Sequence, residues 1–265
     1  MKMEKDKSTS IDPRAAVHPD AELDQGVSVG PFAVIGPNVR IGSGTMVASH
    51  AVIEGRTTLG KDNRVFQFAS IGADPQDLKY GGEDSVLIIG DGNTFRECCT
   101  VNRGTAGGIN ETRLGNNILL MACSHVAHDC VLGDGVIFAN GATLGGHVTI
   151  EDGALISAFA AVHQFCRVGL LGMVAGGSMV VKDVPPYTTV QGDRASMRGL
   201  NLTGLQRKGF APEAISAIKS AYRIVFRSGL ALEEAVVKVR QEVDSCPEVE
   251  HLLDFLMSAE RGFVR

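Results

Sequence analysis

The chain has 265 residues, of which 44% are hydrophobic, and a formal net charge of −5; it has 32 glycines, no tryptophan and only 5% aromatic residues. This length allows one or two domains with a substantial core, but so few large rings exclude a core built on aromatic packing. We find no signal peptide and no apolar run of membrane-spanning length, so we expect a cytoplasmic protein without stable membrane insertion.

The N-terminal part of the chain carries a six-residue repeat. Residues 1–10 are polar and without periodicity, which predicts a flexible tail. From Ile11 to Ile71 an aliphatic residue returns at every sixth position. This period does not fit a helix, but it fits short strands with alternating side chains that are separated by turns. The repeat therefore predicts a mainly β fold, a parallel β-helix of hexads over 11–190.

Corners and interruptions of the repeat follow. Gly, Asn or Asp stands where a corner needs a positive φ, as in IGPNVR, IGSGTM and LGKDNR. Polar insertions interrupt the hexads near 73–87 and 103–113, and the second shifts the phase by one residue before Leu114. Insertions in a solenoid tend to gather on a binding face, but tolerated surface insertions explain them equally well.

The repeat continues to Val180 and ends in KDVPPYTT, where we expect the two prolines to prevent another ladder strand. Residues 191–265 predict a small helical domain that covers the open end of the coil. Its predicted helices run from Pro212 to about Ser228, over 231–244, and from Pro247 to near Gly262.

Six cysteines are present, and Cys99, Cys130 and Cys166 fall at the small inward position of their hexads. A free cysteine packs there as a small hydrophobic residue. We therefore expect reduced, structural cysteines.

Four of the seven histidines fall on neighbouring hexads. If three hexads close one triangular coil, residues 18 apart lie above one another. The hexads that begin at Val126, Leu144 and Val162 then place four outward histidines on one face: His125, His128, His147 and His163. The remaining three, His18, His50 and His251, share no such alignment and are treated as ordinary surface histidines.

Two chemistries could use such a cluster. A neutral imidazole is a general base near neutral pH, and Asp129 is placed to orient His128. Clustered imidazoles also bind zinc, but no carboxylate or thiolate set completes a site in the sequence. We therefore expect neither a metal nor a cofactor.

The motifs HVAHDC, ATLGGHV, AVHQF, DVPPY and NLTGLQRKGF, with QDLKY in the first insertion, resemble one family of hexapeptide-repeat acyltransferases. This is the acyl-[acyl-carrier-protein]–UDP-N-acetylglucosamine O-acyltransferase family, and the resemblance covers about residues 11–265. It implies a left-handed β-helix and a homotrimer with sites between neighbouring coils. It also implies transfer of a 3-hydroxyacyl group from acyl carrier protein to the 3-hydroxyl of UDP-N-acetylglucosamine, the first step of lipid A biosynthesis.

The resemblance also implies roles for individual residues. His128 matches the general base, Asp129 its orienting acid and the Gly146 amide the oxyanion donor. Substrate-binding positions are matched by Gln76, Asp77, Lys79, His125, His147, His163, Gln164, Asn201, Arg207 and Lys208. Gly176 and Arg194 match the region that limits the acyl chain. Thr203 and Arg194 depart from the family, which has Glu and His at these positions.

Residues 194–240 hold nine lysines and arginines against three glutamates, a difference of +6 inside an acidic chain. Such a field favours an acidic partner, here acyl carrier protein, although a solvated helix face is the simple alternative. Nucleic acid is not expected, because no recognised nucleic-acid fold or aromatic-interleaved basic patch is present.

Three other functions stay open on the sequence alone. They are a zinc hydratase of the γ-carbonic-anhydrase kind on the same coil, a non-catalytic β-helix used for assembly, and a sister transferase acting on another acylated sugar. The sequence does not decide whether the acceptor carries a 3-hydroxyl or a 3-amine.

Overall fold

A computed structural model describes residues 8–265. Most of the predicted tail, residues 1–7, lies outside the described residues, and Ser10 already belongs to the first strand.

Nearly every hexad contributes one short strand, and most of these strands end on the inward aliphatic or aromatic residue of the hexad. In chain order the strands are β1 (Ser10–Ile11), β2 (Ala16–Val17), β3 (Glu22–Leu23), β4 (Ser28–Val29), β5 (Val34–Ile35), β6 (Arg40–Ile41), β7 (Met46–Val47), β8 (Val52–Ile53), β9 (Arg56–Leu59), β10 (Arg64–Val65), β11 (Ser70–Ala73), β12 (Val86–Ile89), β13 (Thr94–Phe95), β14 (Thr100–Asn102), β15 (Glu111–Leu114), β16 (Leu119–Leu120), β17 (His125–Val126), β18 (Val131–Leu132), β19 (Ile137–Phe138), β20 (Thr143–Leu144), β21 (Thr149–Ile150), β22 (Leu155–Ile156), β23 (Ala161–Val162), β24 (Arg167–Val168), β25 (Met173–Val174), β26 (Met179–Val180), β27 (Thr188–Gln191) and β28 (Ser196–Leu200). The helices are α1 (Leu202–Arg207), α2 (Pro212–Arg227), α3 (Leu232–Glu242) and α4 (Pro247–Met257).

Within residues 8–265 these strands form three sheets of eleven, nine and eight strands, and each sheet takes every third strand along most of its length. Val126 pairs with Leu144, and Leu144 pairs with Val162, both in parallel register. Three hexads therefore close one coil, and the predicted stacking of residues 18 apart is confirmed. Around the second insertion the same register joins Val101 to Val126, a longer step that accommodates the loop.

The corners turn because the fourth residue of most hexads adopts a left-handed backbone conformation. The predicted corner residues Asn38, Gly44 and Asp62 have φ of 59°, 73° and 55°. Asp129 and His147 occupy the same position, with φ of 58° and 61°. Because the backbone conformation is fixed at this position, the direction of the Cα–Cβ bond of each corner residue is also fixed.

Inside the coil lies a thin core of Val, Ile, Leu and Ala. Cys99, Cys130 and Cys166 are buried in it and unpaired, as predicted. Burial raises the pKa of Cys99 and Cys130 to about 12 and that of Cys166 to about 11, so these thiols stay protonated at neutral pH.

The prediction that the prolines end the ladder was wrong. Val184 still bridges Val168, and β27 pairs in parallel with β25 before β28 returns antiparallel. Pro185 and Pro186 lie in the turn between these pairings, where the ladder needs no N–H donor. The hairpin of β27 and β28 crosses the predicted domain boundary at residue 190.

Of the four helices in the described part of the chain, three lie close to their predicted bounds, although α4 ends at Met257, short of Gly262; α1 was not predicted. The helices share a second apolar cluster with Leu171 and Tyr187 of the coil. Arg167 joins the two parts, since its guanidinium bonds to Asp183 and to the Phe255 carbonyl, both at 2.9 Å. Among residues 8–265 no helix is long and apolar enough to span a bilayer.

Candidate active site

His128 and Asp129 form a hydrogen-bonded pair at the corner that follows β17. His128 Nδ1 lies 2.7 Å from Asp129 Oδ2. The Asp129 side chain has no exposed surface, whereas 14% of the His128 side chain is exposed. Because Nδ1 is engaged by the carboxylate, Nε2 is the ring nitrogen left for a reacting group.

The second insertion, 103–110 between β14 and β15, surrounds the Asp129 carboxylate. Thr105 Oγ1 donates to Oδ2 at 2.6 Å, and the Thr105 and Ile109 amides donate to Oδ1 at 3.1 and 3.0 Å. A Cβ on Gly108 would lie 2.3 Å from the carboxyl carbon, so only glycine fits there. This insertion is therefore part of the site, not a neutral surface addition.

These donors keep Asp129 ionised. Burial by itself would raise the pKa of this carboxyl group, but the hydrogen bonds from Thr105 and His128 outweigh burial and hold the pKa below its ordinary value. The site thus contains a fixed negative charge beside the imidazole.

His147 and Phe165 continue the column of corner side chains. The His147 ring meets His128 edge-on with centroids 5.0 Å apart and stacks on Phe165 at 4.4 Å. Desolvation lowers the pKa of His147, although the Asp129 carboxylate opposes this effect. Sequence reasoning missed Phe165, yet it lies 18 residues after His147, so the same spacing could have identified it.

Gly146 lies directly against the His128 ring. A Cβ at this position would come within 2.5 Å of His128 Cε1 and 2.7 Å of Nε2. Among residues 8–265 no backbone or side-chain acceptor receives the Gly146 N–H. A free amide donor therefore lies next to the candidate base.

The other two predicted histidines flank this pair without joining it. His125 Nδ1 lies 2.7 Å from Thr100 Oγ1 on the preceding coil, and burial lowers the His125 pKa. His163 is exposed, and its Nδ1 is 3.1 Å from the Gln164 carbonyl oxygen. Gln164 is exposed as well.

The first insertion, 74–85 between β11 and β12, holds Gln76, Asp77 and Lys79. Gln76 and Lys79 are exposed, and Asp77 accepts the Lys79 amide at 3.0 Å. Desolvation lowers the pKa of His147, and the Asp77 carboxylate lies near enough to oppose this effect together with Asp129. Arg103 anchors this loop by donating to Gly72 O at 2.7 Å and to the Tyr80 hydroxyl at 2.8 Å, and by pairing with Asp74.

Asn201, Arg207 and Lys208 lie elsewhere, in a groove of about 500 Å³ that we call the helix groove. Thr203 and the corner residue Leu171 also line the helix groove. Its remaining wall is formed by outward residues of the eleven-stranded sheet, namely Ile137, Leu155, Met173 and Thr189. Neither Arg207 nor Lys208 forms an ion pair with any residue of the described chain. Asn201 is engaged internally, because Nδ2 donates to Leu171 O at 2.9 Å and Oδ1 accepts the Gly204 amide at 3.0 Å.

The two residues predicted to limit the acyl chain are both exposed. A Cβ on Gly176 would meet only the Ala158 carbonyl oxygen, at 3.4 Å, so a larger side chain fits within one protomer. Arg194 lines a second groove of about 380 Å³ together with Lys182 and Arg265.

His128, Asp129 and His147 are the only group in residues 8–265 that could offer three metal-binding atoms, all within 4.8 Å of one another. The Asp129 oxygens already accept hydrogen bonds from Thr105, Ile109 and His128. The carboxylate is therefore saturated with donors, and this set does not fit a resident cation.

The sequence and the fold both match known proteins. The family model for bacterial transferase hexapeptide repeats matches residues 20–55 and 111–146, and the model for UDP-N-acetylglucosamine O-acyltransferase, domain 2, matches residues 183–264. An acyl-[acyl-carrier-protein]–UDP-N-acetylglucosamine O-acyltransferase from Myxococcus xanthus is 55% identical, with 96% of this chain and 99% of the relative covered. The enzyme of this name from Alkalilimnicola ehrlichii is 53% identical, with 97% and 100% covered.

Solved structures agree with these relatives. The UDP-N-acetylglucosamine acyltransferase of Bacteroides fragilis has a TM-score of 0.92 at 42% identity, with 96% of this chain and 99% of that chain covered. The enzyme of Francisella novicida has a TM-score of 0.92 at 41% identity, with 96% and 94% covered. The fold is thus the predicted left-handed β-helix with a small helical part, and the chain belongs to the acyl-[acyl-carrier-protein]–UDP-N-acetylglucosamine O-acyltransferase family.

Proposed function

We propose that this chain transfers a 3-hydroxyacyl group from acyl carrier protein to the 3-hydroxyl of UDP-N-acetylglucosamine, the first step of lipid A biosynthesis. The names of its relatives support both substrates. The observation that carries the chemistry is the buried Asp129 carboxylate on His128 Nδ1, which leaves Nε2 as the ring nitrogen available to act as a base.

His128 Nε2 takes the proton of the sugar hydroxyl as its oxygen attacks the thioester carbonyl. Asp129 stabilises the imidazolium that forms and holds the ring in one orientation. When the tetrahedral intermediate collapses, the carbon–sulfur bond breaks and the imidazolium returns the proton to the leaving thiolate. The products are the acylated sugar nucleotide and the free carrier-protein thiol.

The Gly146 amide is the donor for the oxyanion of that intermediate. Its N–H is free of internal acceptors within residues 8–265 and lies beside His128. A preformed donor of this kind is worth a large factor in rate, because it needs no reorganisation when the charge develops.

The sugar nucleotide bridges two regions. The unpaired cations Arg207 and Lys208 suit its diphosphate. The sugar and acyl groups are surrounded by residues of the first insertion and by the histidine region: Gln76, Asp77, Lys79, His125, His147, His163 and Gln164. Asn201 shapes the helix groove through its two internal hydrogen bonds.

We propose a homotrimer, and the positions of these two regions support it. His125 belongs to the nine-stranded sheet and His128 to the corner after it, whereas the helix groove lies on the eleven-stranded sheet of the same protomer. One site that uses both regions therefore combines two copies of the chain. In a closed ring of three copies, every site receives the histidine region of one copy and the helix groove of a neighbouring copy. Light scattering that shows a stable monomer at micromolar concentration would contradict this assembly.

The carrier protein is acidic and binds near the basic segment 194–240. Gly176 leaves room for a long acyl chain, and Arg194 can lie along apolar surface with its head in water. The reaction takes place in the cytoplasm and needs no cofactor.

The test is an acylation assay with a panel of acyl carrier proteins, with UDP-N-acetylglucosamine and its 3-amino analogue as alternative acceptors. In His128→Ala the rate should fall about 10²- to 10⁴-fold with the fold intact, since Thr105 and Ile109 still donate to the Asp129 carboxylate. His18→Ala, a surface histidine at the other end of the coil, is the matched control. Activity of His128→Ala within a few-fold of the parent would remove the base from the mechanism.

A further inference from the structure

An ion pair between His251 and Glu151 joins the helical part to the coil. It lies far along the sequence from His128. His251 on α4 places Nε2 2.7 Å from Glu151 Oε2, just after β21. Both side chains are partly exposed, at 40% and 28%. None of the chemistry proposed above uses either residue.

Glu151 has a second partner that connects the pair to the next corner. The same Oε2 accepts the Leu170 amide at 2.7 Å. The Leu170 carbonyl in turn accepts the Tyr187 amide at 2.7 Å, and the Tyr187 carbonyl accepts the Asn201 amide at 2.7 Å. The corner at 170–171 is therefore held by Glu151 from one side and bonded to the helical part on the other.

This corner supports the helix groove. The Leu171 carbonyl accepts Asn201 Nδ2 at 2.9 Å, and Asn201 Oδ1 caps α1 through the Gly204 amide at 3.0 Å. Arg207 is in the last turn of α1, and Lys208 follows directly. A continuous set of hydrogen bonds thus leads from His251 to the first turn of α1, the helix whose C-terminal end carries the two cations of the groove.

We infer that Glu151 and His251 are positioning residues for the nucleotide end of the acceptor site, and that their ion pair makes nucleotide binding depend on pH. This inference rests on the proposed function, because it takes the helix groove as the place where Arg207 and Lys208 bind the diphosphate. Neither Glu151 nor His251 touches the substrate; they act through the 170–171 corner and Asn201.

The charges around His251 give the direction of the pH effect. The hydrogen bond to Glu151 raises the pKa of His251 despite partial burial, and Asp254 on α4 adds to this effect. The Tyr187 phenol also faces His251, with ring centroids 6.3 Å apart, and burial keeps it protonated by raising its pKa. Glu250, the neighbouring carboxylate, is paired with Arg240 of α3 at 3.0 Å.

Because the pKa of His251 is raised, the contribution of the ion pair is fully present below the ordinary histidine pKa of 6.5. This contribution is lost as the pH rises through the pKa of His251 in the folded protein. Tight nucleotide binding should therefore weaken toward alkaline pH. The effect is modest because the pair is partly exposed, and it should amount to about a two- to fivefold change in KM.

The test compares His251→Gln, which keeps an N–H donor but no charge, with the full-length parent. The KM for UDP-N-acetylglucosamine should rise about two- to fivefold near pH 6, converge on the parent near pH 9, and leave kcat unchanged at both. Glu151→Gln should behave similarly, whereas Glu151→Ala, which also loses the acceptor for Leu170, should raise KM at every pH. Direct titration with UDP-N-acetylglucosamine in the absence of acyl donor should give the same ratios in Kd.

His18→Gln is the matched control, because His18 lies 3.7 Å from Asp20 in an exposed pair at the opposite end of the coil. Thermal melting of each variant separates a local effect from unfolding. A His251→Gln enzyme whose KM equals that of the parent at pH 6, or whose kcat falls with KM unchanged, overturns the inference alone. A parent that does not bind UDP-N-acetylglucosamine overturns the proposed function and the inference together.

Discussion

Replacing Thr105 with valine tests whether the second insertion supports catalysis. The variant loses the hydroxyl that donates to Asp129 Oδ2 at 2.6 Å but keeps the shape of the side chain and the Thr105 amide. A hydrogen bond to a buried charge contributes about 1.5–3 kcal/mol. We therefore expect the free energy of unfolding to fall by about that amount. We also expect kcat to fall about 10- to 100-fold, because the carboxylate that orients His128 is held less firmly.

The pH dependence of the variant follows from the sign of the Asp129 shift. The pKa of Asp129 is lowered, so its contribution to stability is present above the ordinary value of 3.8 and is lost as pH falls through the folded-state value. Removing a donor to the charged form raises the folded-state pKa. Acid inactivation of Thr105→Val should begin at a higher pH than in the parent.

The assays are a pH–rate profile and urea unfolding of the parent, Thr105→Val and Thr105→Ser, in which serine restores the donor. Thr45→Val is the matched control: Thr45 is equally buried and donates to Gly60 O at 3.1 Å, but it lies near the other end of the coil. It should lose stability while its kcat is unchanged. Equal kcat, stability and acid limb in Thr105→Val and the parent would refute the reasoning.

Three further predictions concern the site. Gly146→Ala places a Cβ 2.5 Å from the His128 ring, so the ring must move. We expect kcat to fall at least tenfold while the far-ultraviolet circular dichroism spectrum stays normal, and an unchanged kcat would contradict this. Gly176→Met should shift the optimum of an acyl-chain-length series to shorter chains; a shared optimum would direct attention to Arg194 instead. Exhaustive chelation should leave activity intact, since the Asp129 oxygens are occupied by internal donors, and metal-restored activity would revive the zinc mechanism.

The periodic part of the molecule could be predicted from the sequence because one local rule repeats. An aliphatic residue every six positions fixes the inward side, and the closure of three hexads fixes which residues stack. These two facts place His128 and His147 together and put Asp129 beside the base. The same rule also places Phe165 next to His147, because these two residues are 18 apart in the sequence.

The non-periodic contacts could not be predicted in this way. Thr105 and Ile109 reach Asp129 through loop backbone whose conformation no repeat specifies. His251 finds Glu151 across 100 residues of sequence, through the packing of α4 on the coil. The prolines after Val180 do not end the ladder, because they lie in a turn that needs no N–H donor and the chain then rejoins the sheet.

A regular β-helix presents the same kind of outward surface at every coil, so regularity alone cannot produce one site. The register around the second insertion joins Thr100 to His125, 25 residues apart, where a regular coil has 18. The seven extra residues form backbone outside the ladder, and the Thr105 and Ile109 amides are thereby free to converge on one carboxylate. The regular corners fix the positions of the imidazoles, and the irregular loop fixes the charge that orients them. The site lies where the two meet, because only there can a donor-rich loop contact a column whose side-chain directions are already set.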